Sequence, residues 1–195
     1  MAEEKLDRRV RKTRKQLREG LARLLERKSI RDIKVKELVE EVDINRSTFY
    51  LHYSDIYDML EKIEGELFSE IKEAIDAHPF GNTRHDQAFI REMFEIMNEN
   101  RSICKALAGP NGDMAFVSRM EDVIGEQAVK AAEPLYRDAE KNELVYMYAY
   151  CLNGCVGLVK MWLLHDGKET PQQMADIMFR MVKNSLNERF SLAMQ

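Results

Sequence analysis

Apolar residues recur every three or four positions along nearly the whole chain, and little interrupts them. The cleanest run is Ile56, Met59, Leu60, Ile63, Leu67 and Ile71, which lie on one stripe if the backbone is helical. Only nine glycines and four prolines punctuate 195 residues, and no strand–turn–strand pattern stands out. The predicted fold class is all-α. With 45% hydrophobic and 33% charged residues, the chain fits a soluble globular protein with a real core, as one domain or two small ones.

The spacing predicts a first helix over about Arg8–Arg27, with Val10, Leu17, Leu21, Leu24 and Leu25 inward. Residues 28–34 read as a connector with Ile30 and Ile33 turned inward. Val35–Val42 reads as a second helix with Val35, Leu38, Val39 and Val42 on one face. Asp43-Ile44 makes a turn, and Asn45 is the N-cap of a third helix to about His52. Asp55 caps a fourth, from Ile56 to about Ala77. Helices are expected over Asp86–Glu99, Ser102–Ala108, 113–132 and 142–165, with a turn at Gly109-Pro110-Asn111-Gly112. Pro134 begins a short helical piece or a kink, and Asp166-Gly167 stops the penultimate helix. Thr170-Pro171-Gln172-Gln173 has the form of a capping box. It opens a last helix with Met174, Ile177, Met178, Met181, Val182 and Leu186 at helical spacing.

Residues 35–53 thus form an amphipathic helix, a tight turn and a second, polar helix. Proteins use this arrangement to lay one helix in the major groove of DNA while another braces it. Phe49 and Tyr53 are the inward anchors. Arg46 can fork to guanine, Ser47 and Thr48 can reach a phosphate or a base edge, and Leu51 can meet a thymine methyl. Tyr50 and His52 can donate to phosphate oxygens.

Charge supports the same division of labour. The chain carries −4 overall, but residues 1–34 hold thirteen basic against six acidic side chains. Up to Tyr53 the net charge is +5, and beyond it −9. A basic end on an acidic body can bind a polyanion locally. On charge alone, a solvated helix face or a disordered arm bearing Arg8, Arg9, Arg11, Lys12, Arg14, Lys15 and Arg18 is an equal reading.

The stretch from about Arg8 to Leu60 resembles the DNA-binding domain of the tetracycline-repressor (TetR) family. The family's recognition helix reads roughly S-x-x-T-[FL]-Y-x-H-[FY], matched by Asn45-Arg46-Ser47-Thr48-Phe49-Tyr50-Leu51-His52-Tyr53. The resemblance implies that Thr48, Tyr50 and His52 contact the DNA backbone and that Arg46, Ser47 and Leu51 face bases. Lys36 would reach the groove or a phosphate. The chain departs from the family at two positions: Lys34-Val35 replaces the usual Ser or Thr cap, and Ile56 replaces a phosphate-holding lysine. Lys34 or the N-terminal arginines would substitute for that contact. Further on, residues 107–113, Val159-Lys160-Met161-Trp162-Leu163 and Thr170-Pro171 resemble a subgroup that includes regulators of dihydroxyacetone kinase operons. Some of its members act with a protein partner.

The expected organisation is a helix-turn-helix DNA-binding domain over 1–54 and a helical regulatory and dimerisation domain over 55–195. Two-fold pairing would double the DNA contacts and call for a near-palindromic operator. Leu144–Leu164 is long enough to span a bilayer, but it holds Asn153, Gly154, Gly157 and Lys160 and reads as a buried helix of a bundle or dimer. Twelve methionines, with Phe94, Met97, Met114, Phe116, Tyr148 and Trp162, would suit an adaptable apolar effector pocket, or plain core. A charged N-terminus without an apolar core behind it, and three cysteines without framework spacing, point to the cytoplasm.

The leading expectation is a dimeric, sequence-specific, effector-responsive repressor with no cofactor or metal. The alternative is an all-α regulator acting through a protein partner. An enzyme using the body cavity stands third: Cys151 and Cys155 lack ligand spacing, His78, His85 and His165 lack partners in a motif, and no phosphate loop is present.

Overall fold

The computed structural model of the chain describes residues 2–132, 141–165 and 168–192. Among them every regular element is a helix. In chain order these are α1 (Ala2–Arg27), a single 3-10 turn (Ile30–Asp32), α2 (Val35–Glu41), α3 (Arg46–Tyr50) and α4 (Ile56–Ala77). There follow α5 (Thr83–Glu99), α6 (Arg101–Ala108), α7 (Met114–Ala132), α8 (Lys141–Leu164) and α9 (Pro171–Leu192). The all-α expectation is met. Pro134 and Asp166-Gly167 lie outside the described residues, as does the side chain of Leu186.

The chain forms two compact units. The first contains residues up to Leu67 together with Asn100–Val117. Leu17, Leu21, Leu24 and Leu25 of α1 are buried there with Leu38 and Val39 of α2, Phe49 of α3, and Ile56, Met59, Leu60 and Ile63 of α4. Each fully buried leucine contributes roughly 1.5–3 kcal/mol by leaving water. Helix α6 packs against α1 and buries Ile103, Ala106 and Leu107. The turn after it is tied back by Asn111, whose amide donates to the Glu26 carbonyl at the end of α1 (3.5 Å). Sequence spacing gave no hint of this long-range packing.

The second unit holds Phe68–Glu99 and the residues from Ser118 onward. Helices α5 and α9 pack together, burying Phe89, Ile90, Met93 and Phe94 with Met174, Ala175 and Met178. The turn into α5 uses Gly81 at φ 101°, a left-handed conformation that favours glycine, and Asp86 accepts from its amide (3.1 Å). At the start of α9 the capping box is reciprocal: Gln173 accepts from Thr170 N–H (2.8 Å), and Thr170 Oγ1 accepts from Gln173 N–H (3.3 Å).

Three details differ from expectation. Helix α1 begins at Ala2, well before Arg8, because nothing in the charged run breaks a helix. Met181 of α9 is exposed. Helix α8, expected to be buried in a bundle or dimer, is mostly uncovered among the described residues of one chain: Tyr146 is 76% and Tyr150 72% exposed, and Val145 and Met161 are also exposed. By length and composition Val145–Leu164 could cross a membrane (mean hydropathy 1.2). Most of its exposed positions, however, form one stripe of Tyr146, Ala149, Tyr150, Asn153, Gly154, Gly157, Met161 and Leu164 at helical spacing.

Gly20 lets α1 come close to α2 and its C-cap, since a Cβ there would collide with Val42 Cγ1 and stand 3.0 Å from Leu38 Cδ1. Alanine would gain up to about 1 kcal/mol of helix propensity. Overpacking against a stiff β-branched side chain and a buried leucine costs about 1–3 kcal/mol and wins. Gly20→Ala should therefore lower the denaturant midpoint of the first unit; an unchanged or higher midpoint would show that α2 yields freely.

Candidate nucleic-acid interface

Helix α3 is only five residues long and cannot hold its shape alone. Its anchors are Phe49, fully buried, and Tyr53, 4% exposed, whose rings lie 5.7 Å apart. Asn45 is the N-cap, accepting from Ser47 N–H (2.9 Å) and from the Ser47 hydroxyl (2.9 Å); such a cap is worth about 1 kcal/mol. The preceding turn places Asp43 at φ 52°, a left-handed conformation that aspartate tolerates better than most residues.

The exit is braced as firmly as the entry. Asp55 accepts from Asp58 N–H (2.8 Å), and Asp58 accepts from Ser54 N–H (2.8 Å). Lys62 then bridges Asp58 (3.0 Å) and the His52 carbonyl (3.3 Å), with its ammonium 5.6 Å from the centre of the Tyr53 ring. The Ser54 amide, and after it Lys62, hold the Asp58 carboxyl below its ordinary range. Lys62 and Asp58 were not singled out from sequence; the (i, i+4) spacing on α4 was the available signal. Tyr53's hydroxyl accepts from Arg14 Nε (3.4 Å), and Arg14 also pairs with Glu66 of α4. These contacts tie α1, α3 and α4 together.

With Phe49 and Tyr53 committed inward, the remaining side chains face out. Asn45, Arg46, Ser47 and Tyr50 are exposed, Thr48 and His52 are half-buried, and Leu51 is 80% exposed. Arg46 lies along its own helix onto Tyr50, donating to the phenol oxygen from Nε (3.3 Å) and Nη2 (3.0 Å). Lys34 is the exposed N-cap residue of α2 and makes no side-chain cap bond. Lys36 is exposed and stands 3.8 Å from Glu40. The expected DNA-facing residues therefore lie on α3 and its borders and at the start of α2. Ile56, at the position of the family's usual lysine, is 4% exposed and packed into the core. On α1, Arg9, Arg11, Lys12 and Lys15 are exposed, whereas Arg23 and Arg27 both pair with Glu41 of α2.

The six residues expected to line a pocket divide between the units. Met114 (exposed) and Phe116 (buried) belong to the first, and Phe94, Met97, Tyr148 and Trp162 to the second. Phe94 and Trp162 meet edge to face at 5.2 Å, and the Trp162 indole donates to the Glu169 carbonyl (3.0 Å). A separate open groove of about 560 Å³ lies elsewhere in that unit, bordered by Gln87 on α5 and by Asp176, Ile177 and Arg180 on α9.

Residues 85–184, about half of the chain, match the family model described as "Transcriptional regulator C-terminal region". The chain is 22% identical over 174 residues to the uncharacterized HTH-type transcriptional regulator YxbF of Bacillus subtilis (strain 168). That match covers 86% of this chain but 44% of YxbF, so the chain spans about half the length of that relative. Among solved structures, it resembles the dihydroxyacetone kinase operon activator DhaS (TM-score 0.55, 14% identity, 90% of this chain and 95% of that one). It also resembles a TetR transcriptional regulator from Streptococcus agalactiae 2603V (0.55, 19%, 93% and 99%). The fatty acid degradation regulator FadR of Bacillus halodurans is similar as well (0.62, 10%, 87% and 93%). At these identities the solved structures speak to the fold.

Burial, and then the charge of Arg14, hold the His52 imidazole below its ordinary 6.5. The unfolded chain therefore takes up this proton first as pH falls. The stabilisation is complete above 6.5 and is lost as pH drops through the lower folded value. An NMR titration should find the His52 midpoint below 6.5, and His52→Gln should flatten the pH dependence of stability in that window; a midpoint above 6.5 would contradict this environment.

The helical architecture and the matched C-terminal region lead to one conclusion: the chain belongs to the TetR family of transcriptional regulators.

Proposed function

We propose that the protein is a homodimeric, sequence-specific DNA-binding repressor of the cytoplasm, released from a near-palindromic operator by an effector. The observation that carries this reading is the state of α3: a five-residue helix anchored through Phe49, with Arg46, Ser47, Tyr50 and Leu51 left outward. A leucine 80% exposed beside an exposed arginine and tyrosine is a set of side chains that a major groove accommodates. In this reading Arg46, Ser47 and Leu51 face bases. Thr48, Tyr50, His52, Lys34 and Lys36 hold the backbone, and Asn45 sets the start of the helix. Residues 1–54 serve DNA contact, and 55–195 serve regulation and pairing.

Dimerisation is assigned to the uncovered stripe of α8. Among the described residues a Cβ at Gly154 or Gly157 would meet nothing within 4 Å outside its own helix backbone, so another backbone can come close there, with Tyr146, Tyr150 and Met161 around it. Effector binding is assigned to the second unit, where Met97 and Tyr148 keep surface that the packed Phe94–Trp162 pair does not. The protein is read as non-enzymatic. Burial pushes the Cys151 thiol up, and burial followed by Cys151 pushes that of Cys155 up to about 11, which keeps both protonated and unreactive. A second reading is an all-α regulator that works through a protein partner; DhaS, whose fold is similar, is named an operon activator and not a repressor. A stoichiometric partner with poor DNA retention at moderate salt would select it.

Footprinting on the DNA upstream of its own gene should protect an inverted repeat with half-sites about 34–36 Å apart, or a multiple of that. Arg46→Ala should weaken binding to that site by about 1–3 kcal/mol; unchanged binding would remove Arg46 from the interface. Tyr150→Glu should shift the sedimenting species from dimer to monomer, and a dimer that persists would place pairing elsewhere.

A further inference from the structure

The outward face of α3 is not a set of independent side chains. Tyr50 is locked from below, its ring edge-to-face with the fully buried Phe49 at 5.4 Å. Arg46, one turn earlier, is locked onto Tyr50 in turn. Two of its N–H groups reach the phenol oxygen, and its guanidinium carbon stands 5.5 Å from the ring centre. A buried aromatic thus orients an exposed one, which orients an exposed cation.

Donor and acceptor capacity then dictates what each group has left. A phenol oxygen carries one proton and two lone pairs. With the lone pairs taken by Arg46, the remaining O–H can only donate outward, to an acceptor such as a phosphate oxygen. A guanidinium has five N–H groups. Nε and one position on Nη2 are directed at Tyr50, which leaves Nη1 and the rest of Nη2 as a planar fork. That fork matches the paired acceptors of guanine, O6 and N7. Bonds made in series through one hydroxyl also polarise one another.

Building on the reading of α3 as the groove-entering helix, we infer that Tyr50 is a specificity-determining positioning residue. Its hydroxyl bridges a DNA phosphate and Arg46, and so holds the arginine fork in the one register that reads guanine. The phosphate contact and the base contact form a coupled unit. Removing the hydroxyl frees Arg46 to turn among other rotamers, and discrimination falls at a base pair that Tyr50 does not touch.

The test is a double-mutant cycle on the full chain, with wild type, Arg46→Ala, Tyr50→Phe and the double variant. Binding is measured at one fixed salt concentration to the footprinted operator and to duplexes substituted at each half-site position. Arg46→Ala should lower discrimination at one guanine pair by roughly tenfold or more, the scale of a bidentate contact. Tyr50→Phe should lower discrimination at that same pair, and should add nothing there once Arg46 is absent. Tyr50→Phe should also shift the Arg46 Nε–H resonance in the free protein. If Tyr50→Phe weakens every duplex by one common factor, or if the two losses simply multiply, the coupling is overturned while the groove reading stands. If Arg46→Ala alters discrimination at no pair, the groove reading itself fails and the coupling falls with it.

Discussion

The burial of Phe49 is the interaction on which the rest depends. Helix α3 has too few residues to make more than a turn of hydrogen bonds, so its position comes from its neighbours. Phe49 is fully buried in the first unit, and once it is seated the polar side chains of the same helix are left facing outward. Burial of one apolar ring and exposure of Arg46, Tyr50 and Leu51 are therefore a single structural event. Asn45 at the entry and Lys62 at the exit secure the ends, and Arg14 on Tyr53 ties the assembly to α1.

Much of this could be read from residue spacing. The stripe from Ile56 to Ile71 is buried at all six of its positions. The caps at Asn45, Asp55 and Thr170 sit where their hydroxyl, amide and carboxylate chemistry placed them. Such features depend on residues within a turn or two of one another, where sequence order and spatial order agree. The outward set on α3 was legible for the same reason, because a helix with two inward anchors leaves its other positions to solvent.

What spacing did not reveal depends on distant parts of the chain. The packing of α6 on α1 joins residues 85 apart at Asn111 and Glu26, and no local pattern announces it. Lys62 looked like one more charge on a long amphipathic helix until the α3–α4 corner brought the His52 carbonyl to it. Helix α8 shows the same limit from the other side. Its apolar character was plain, but periodicity says which face avoids water and not which partner covers it. Among the described residues the face bearing Tyr146 and Tyr150 stays largely exposed. One departure from the family pattern also acquires physical content. Ile56 is core, and the backbone amides of Asp58 and Ser54 serve Asp55 and Asp58.

In the proposed complex α3 meets base edges in the wide groove through an arginine held ready by its neighbours. Methylation interference with dimethyl sulfate reads this directly, because the reagent marks guanine N7 in the major groove and adenine N3 in the minor groove. With Arg46 on guanine, one N7 mark per half-site should block wild-type binding and cease to matter for Arg46→Ala. Interference confined to adenine N3, or N7 interference that persists unchanged without Arg46, would contradict it.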